Sequence, residues 1–229
     1  MEQFELSASL IIERAWNYAK SKNGLLLVVM CVAIYIIEGC FSEVLSPEMD
    51  QAQLQHYAET QNFEAIGNMY GKVLRSPMYY VTSLVGILLM VGYYRNILWL
   101  VQGKSSELTL DAYKMPFMSY VNYVVVTILF GIAVGSGILL CFFPGIFLAV
   151  RLLWAPYYIL DNPNSSIGEA FSASWNMTSG KFWSLLGLGV MACLVAISGL
   201  LACCIGVLFT VVVYGFVVMI TYVTLNKSL

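Results

Sequence analysis

Three charged side chains lie inside long apolar runs of this sequence: Glu38, Arg95 and Arg151. A lone charge among hydrocarbon is costly, so such residues pair with one another, line a water-filled path or hold a ligand. Two of the three match in depth. Glu38 falls 13 residues past Leu25 and Arg151 falls 7 past Pro144 on a run of opposite direction, so both sit about 10 Å below the same edge of a ~30 Å apolar layer at 1.5 Å per residue. The expected chemistry is a buried ion pair between them, or an Arg151 held by backbone carbonyls or water. Arg95 stands near the opposite edge beside Tyr93 and Tyr94, where its long stem can carry the guanidinium to water without an acidic partner.

Soluble-enzyme chemistry has no foothold beside these three. The single histidine, His56, stands in a polar stretch with no cysteines or paired carboxylates at metal-ligand spacing, and a solvated histidine is the ordinary reading. The strand-turn-helix serine, the paired-histidine zinc helix and the glycine-rich phosphate loop are all missing, so those mechanisms lack their groups. No cofactor and no metal is expected. The net charge of −2 comes without a basic block, which excludes a nucleic-acid partner.

The elements that must position the charges follow from composition. At 60% hydrophobic and 10% charged residues, with a mean hydropathy of +0.79, the chain departs far from soluble domains, where about a quarter of residues are charged. An all-α polytopic membrane protein is expected, as one domain over 1–229, with spans at about 25–45, 78–101, 120–140, 144–160, 182–202 and 207–223. The polar interval 46–76 is too short for a core of its own, although 50–73 has helical character. Asp161-Asn162-Pro163-Asn164 ends the fourth span by its breakers. Ser166 and Glu169 then have capping-box spacing, and Cys203-Cys204-Ile205-Gly206 is the expected turn between the last two spans. With both termini in the cytoplasm, seven Lys and Arg residues lie inside against Lys72 and Arg75 outside, as retention of positive charge requires.

Each odd-numbered span is preceded by an amphipathic segment that carries an acid, an alanine and an aromatic: Glu13-Arg14-Ala15-Trp16, Asp111-Ala112-Tyr113 and Glu169-Ala170-Phe171. A triplicated hairpin explains them, and so does a common need for small and aromatic residues on a buried stripe. In the first segment Phe4, Ala8, Ile11, Ile12, Ala15 and Tyr18 share an arc, suited to a helix in the interface plane or to one packed under the bundle. In the third, Ile167, Phe171 and Trp175 share one side. Together the segments are expected to form a ring of interfacial helices. Cys40, Cys141, Cys203 and Cys204 fall at outer span ends, where a bridge between neighbouring turns is conceivable in an oxidising compartment; Cys31 and Cys193 lie deeper.

Pro144-Gly145-Ile146, Arg151, Pro156, Asp161, Glu169-Ala170, Ser174-Trp175, Thr178-Ser179-Gly180 and Phe182-Trp183 together resemble the C-terminal signature of a broad group of uncharacterised bacterial integral membrane proteins. That group is similar to the membrane domain found beside some glycerophosphodiester phosphodiesterases. The resemblance covers about 92–229 and implies a six-helix membrane domain in the bacterial cytoplasmic membrane, with no catalytic residues. Two functions remain in view. One is a non-enzymatic transport, lipid-handling or envelope-complex subunit. The other is a membrane-embedded enzyme acting on a lipid, for which Glu38, Arg95 and Arg151 offer few ionisable groups. Membrane lipid is the expected partner, with a protein partner or a second copy of the chain beside it.

Overall fold

A computed structural model describes residues 7–45, 51–201 and 203–227. Every regular element among them is helical, and six helical stretches are long and apolar enough to cross a membrane: Lys22–Cys40, Tyr80–Gln102, Phe117–Leu140, Phe142–Asp161, Phe182–Gly199 and Gly206–Asn226. They coincide with the six expected spans to within a few residues at each end. Expectations that rest on Phe4, on Glu48 and Asp50, or on Ala202 fall outside the described residues. By contact the chain divides into two compact units, residues 1–31 with 91–229 and residues 32–90.

The smaller unit contains the second half of α2 (Lys22–Leu45), α3 (Gln51–Glu59), α4 (Phe63–Arg75) and the first half of α5 (Pro77–Gln102). The polar interval is thus largely helical. Gln61 adopts φ 53°, a left-handed turn residue, and Asn62 Oδ1 accepts the Ala65 backbone N–H at 3.1 Å, which starts α4 by satisfying one of its free donors. Pro77 opens α5 at a position where its missing N–H costs nothing. Glu38 lies against Gly86, where an added Cβ would collide with the carboxylate. The glycine is therefore the space that Glu38 occupies.

In the larger unit α1 (Ala8–Lys20) buries Ile11, Ala15 and Ala19. It packs on α10 (Phe182–Leu201) and α11 (Cys203–Asn226), with Trp16 edge-on to Phe209 at 5.1 Å and Tyr18 stacked on Phe216 at 5.4 Å. The apolar arc read from the sequence is here a helix-packing surface. Between α6 (Phe117–Leu140) and α7 (Phe142–Leu152) the backbones nearly touch. A Cβ on Gly137 would stand 2.9 Å from Gly145 Cα, and one on Gly145 2.6 Å from Ile138 N. Small residues permit such an approach between membrane helices, where packing rather than the hydrophobic effect holds them together.

The three alanines of the repeated segments, Ala15, Ala112 and Ala170, are all fully buried. The ring of helices does not follow from them. The middle segment is a 3-10 turn, Leu110–Tyr113, and not an amphipathic helix. Asn96 Oδ1 takes the Thr109 N–H at 2.9 Å, the Tyr120 hydroxyl donates to the Tyr113 carbonyl, and Pro116 immediately precedes α6. Those partners fold the connection back along α5. In the third segment α9 (Ile167–Met177) is helical, yet its buried face carries Ala170, Ser174 and Met177. The Ile167, Phe171 and Trp175 side stays half-exposed or exposed.

Candidate functional site at the broken fourth span

The fourth span is two helices. α7 ends at Leu152, Leu153 and Trp154 form a turn, and α8 (Ala155–Asp161) resumes with Pro156 in its first turn. Proline has no N–H to donate, so the carbonyl four residues earlier, that of Leu152, loses its helical partner and the helix breaks there. A break inside a span requires the freed carbonyls to find other donors, since no water replaces them in hydrocarbon. The next element supplies one. Asn162, Pro163 and Asn164 reverse the chain, and the Ser166–Glu169 capping box forms with both reciprocal bonds. α9 then runs back beside α7 and α8, so that Ser174 Oγ donates to the Arg151 carbonyl at 2.8 Å. Thr178 Oγ1 lies 3.4 Å from that carbonyl. It also lies 2.8 Å from the Ser174 carbonyl and 3.1 Å from that of Trp175, so its single proton is better used within its own helix.

The Arg151 side chain is only 7% exposed. Its guanidinium stacks 4.2 Å from the Trp175 ring centroid and 5.8 Å from that of Phe147. These rings meet edge-on at 5.9 Å, and Phe182 packs on Phe147 at 5.3 Å. An aromatic face attracts a desolvated cation by about 2 kcal/mol or more, which offsets part of the several kcal/mol needed to take an ion out of water. Among the described residues of this unit the ion pairs are Lys104–Asp161 and Lys114–Asp111, so none of the described carboxylates neutralises Arg151. Arg151 Nε is buried and has no hydrogen-bond partner. The result is an aromatic-walled cation with unspent donors, held at a break in a span.

Of the other two charges read from the sequence, Glu38 belongs to the smaller unit, against Gly86. The structure therefore describes Glu38 and Arg151 each in its own surroundings. Arg95, half-exposed, is also tied to the protein. Its Nη1 donates to the carbonyls of Ala112 at 3.1 Å and Lys114 at 2.8 Å, and its guanidinium lies 4.8 Å over Trp99. Arg95 is thus a clamp on the folded-back joint. In that joint the Tyr113 phenol is raised above its ordinary pKa, chiefly by burial and secondly by Tyr120. The exposed Lys114 amine is raised by its hydrogen bond to Asp111.

Asp161 was quoted within the signature but carried no role, and the structure gives it one. Its Oδ1 accepts from Gln102 Nε2 at 3.0 Å and from Lys104 Nζ at 3.1 Å, and its Oδ2 from the Tyr222 hydroxyl at 3.1 Å. The carboxylate therefore ties the ends of α5, α8 and α11 together. Trp175, Phe147, Ser174 and Thr178 complete the site around Arg151 and were likewise unassigned by sequence reasoning. One available signal was Pro156 inside an apolar run; another was the i, i+4 pair of hydroxyls, Ser174 and Thr178, on one helix face. Among the described cysteines Cys40, Cys141 and Cys193 carry free thiols, so no bridge forms at Cys40 or Cys141. The side chains of Cys203 and Cys204 lie outside the described residues. Comparison with protein-family models, curated proteins and solved structures returns no match, and the site is interpreted from its own geometry.

Proposed function

We propose that this polytopic membrane protein is a non-enzymatic lipid-handling component of a bacterial cytoplasmic membrane, in which Arg151 receives the anionic headgroup of a phospholipid. The observation that carries the reading is the buried guanidinium without a carboxylate partner among the described residues of its unit and with Nε unsatisfied. A guanidinium offers five donors in a planar fork that matches phosphate oxygens, and Trp175 and Phe147 leave those donors for a ligand. A lipid-cleaving enzyme would need a general acid or base beside the cation. The nearest acidic hub along the chain, Asp161, already accepts from Gln102, Lys104 and Tyr222. The sign pattern of the loops supports a cytoplasmic location for both termini, and the resemblance of the 144–183 stretch supports a bacterial membrane.

The test is quantitative lipid mass spectrometry on protein extracted from native membranes into nanodiscs, for wild type, Arg151→Gln and a Lys181→Gln control. Wild type and control are expected to retain phosphatidylglycerol over phosphatidylethanolamine. Arg151→Gln should lose that preference by about tenfold, the equivalent of one charged hydrogen bond of ~1.5 kcal/mol. Equal headgroup composition in wild type and Arg151→Gln would remove the reading.

A further inference from the structure

In the smaller unit, away from Arg151, one amphipathic helix is covered along only part of its apolar side. α4 packs on α3, to which the left-handed Gln61 joins it. At 100° per residue Phe63, Ile66, Met69 and Tyr70 share one arc of α4, and Glu64, Asn68, Lys72 and Arg75 share the opposite one. Packing covers one edge of the apolar arc: Met69 is only 6% exposed, and Ile66 is half-buried beside it. The other edge is open. Phe63 is 76% exposed and Tyr70 45%, with exposed Gly67 between them. In water such a pair of aromatics one helix face long has nothing to gain from exposure, so the medium at that edge is the question.

We infer that α4 lies in the headgroup layer of the membrane that α5 crosses, with Phe63 and Tyr70 entering the acyl boundary and Lys72 and Arg75 at the level of the lipid phosphates. Nothing in this depends on Arg151. The tether fixes the place. α4 ends at Arg75 and α5 begins at Pro77, and the candidate span within α5 starts at Tyr80. Ser76, between them, stands outside both helices, as expected of a residue before proline, so α4 turns off the axis of α5. Its 13 residues span about 20 Å, which keeps the whole open edge within that distance of the span's end. Charge agrees with the tether: Glu64 is in the first turn and Lys72 and Arg75 are in the last, so the basic end is the one held beside the headgroups, where Lys, Arg and Tyr anchor. A protein partner fits less well. Two aromatic side chains offer at most about 150–250 Å² each, well short of the ~800 Å² that each side of a stable interface buries.

The experiment uses the full chain in phosphatidylcholine–phosphatidylglycerol nanodiscs, with a nitroxide placed at one position at a time through a keto amino acid, which leaves the cysteines unlabelled. Positions 63, 67 and 70 sample the open edge, and positions 64, 68 and 72 the opposite face. All of them are exposed, so the label needs no repacking. Power-saturation electron paramagnetic resonance compares collisions with oxygen, which concentrates in hydrocarbon, and with a nickel chelate, which stays in water. Oxygen is expected to dominate at 63, 67 and 70, at a depth of about 5–10 Å as for helices in the interface plane, and the chelate at 64, 68 and 72. Phe63→Glu combined with Tyr70→Glu should fold as wild type by circular dichroism and gel filtration, since both side chains are exposed, yet bring the collision ratio at 67 to that of 68. Chelate dominance at every position would put α4 in water and overturn the inference. Low collision with both reagents at 63, 67 and 70 would show a protein surface over the open edge, a second copy or another chain, and would overturn it too. An oxygen signal at 67 unchanged by the folded double variant would overturn the anchoring role of the two aromatics.

Discussion

Replacing Ser174 by alanine tests whether α9 is there to satisfy the broken span. Ser174 is fully buried, and its hydroxyl donates to the Arg151 carbonyl at 2.8 Å. Truncation leaves a carbonyl whose remaining donor is Thr178 at 3.4 Å, already closer to the Ser174 and Trp175 carbonyls at 2.8 and 3.1 Å. A stranded buried acceptor costs about 1–3 kcal/mol. Side-chain hydrogen bonds between membrane helices measure nearer ~0.6 and at most ~1.7 kcal/mol, because the unfolded state in the membrane also finds partners. The expected loss for Ser174→Ala is therefore about 1–2 kcal/mol. Thr178→Val keeps the shape and removes a hydroxyl that mainly serves its own helix, so it should cost under ~0.7 kcal/mol. In the double variant no hydroxyl is left to swing toward the carbonyl, and the loss should exceed the sum of the two single losses by ~0.5 kcal/mol or more. Equilibrium unfolding in mixed micelles, followed by far-ultraviolet circular dichroism, reads all three. Equal costs for the two single variants, or a Ser174→Ala protein as stable as wild type, would refute the idea that α9 repairs the break.

Gly145→Ala should destabilise by about 1–3 kcal/mol through overpacking, since its Cβ meets the Ile138 backbone at 2.6 Å. Gly135→Ala, whose Cβ meets nothing within 4 Å, should be neutral or stabilising by up to ~1 kcal/mol; the same unfolding assay compares them. Because burial raises the Tyr113 phenol, its contribution to stability is fully present below pH 10, the ordinary phenol value, and is lost as pH rises through the higher folded-state value. The melting temperature of wild type minus that of Tyr113→Phe should accordingly be flat from pH 7 to 9 and fall above pH 10; a difference constant to pH 11 would contradict the burial of that ring. For Arg151→Met combined with Glu38→Gln, the lipid reading expects additive losses within ~0.5 kcal/mol. Partial recovery in the double variant would instead assign Glu38 as the counter-ion that matching depths suggest and withdraw Arg151 from the headgroup.

What the sequence disclosed divides along the line between local and tertiary causes. The spans are legible because about 20 apolar residues in a row have one favourable disposition in a bilayer. The Ser166–Glu169 box is legible because both of its bonds close within four residues. For Arg95 the sequence named the edge of a span but not its partners, since nothing local shows that the 110–114 joint folds back to offer two carbonyls. The middle joint was misread for the same reason: acid, alanine and aromatic recur there, but the helix they suggest is replaced by bonds to Asn96 and Tyr120, which are distant in sequence or lie beyond a proline.

The third joint shows why hydrophobic patterning pointed to the wrong face. By apolarity alone Ile167, Phe171 and Trp175 should turn inward, and in water they would. Where hydrocarbon surrounds the protein, sequestering an apolar stripe gains little, because lipid tails are as apolar as the side chains. Leaving a span's carbonyls unbonded costs several kcal/mol in that medium. The face that carries the Ser174 hydroxyl therefore turns inward, with Ala170 and Met177 beside it on α9 and Thr178 just beyond the helix, all of them buried. Trp175, left at the rim with 41% exposure, becomes the surface on which Arg151 stacks. The requirement that mends the broken span is thus the same one that creates the aromatic wall, so a variant that straightens the span should dismantle the site as well. Pro156→Ala restores an N–H for the Leu152 carbonyl and, because Pro156 stands in the first turn of α8 where proline is tolerated, should raise stability by no more than one hydrogen bond, ~1 kcal/mol. It should also abolish the phosphatidylglycerol preference. A Pro156→Ala protein that is more stable yet keeps that preference would separate the break from the lipid site and refute that link.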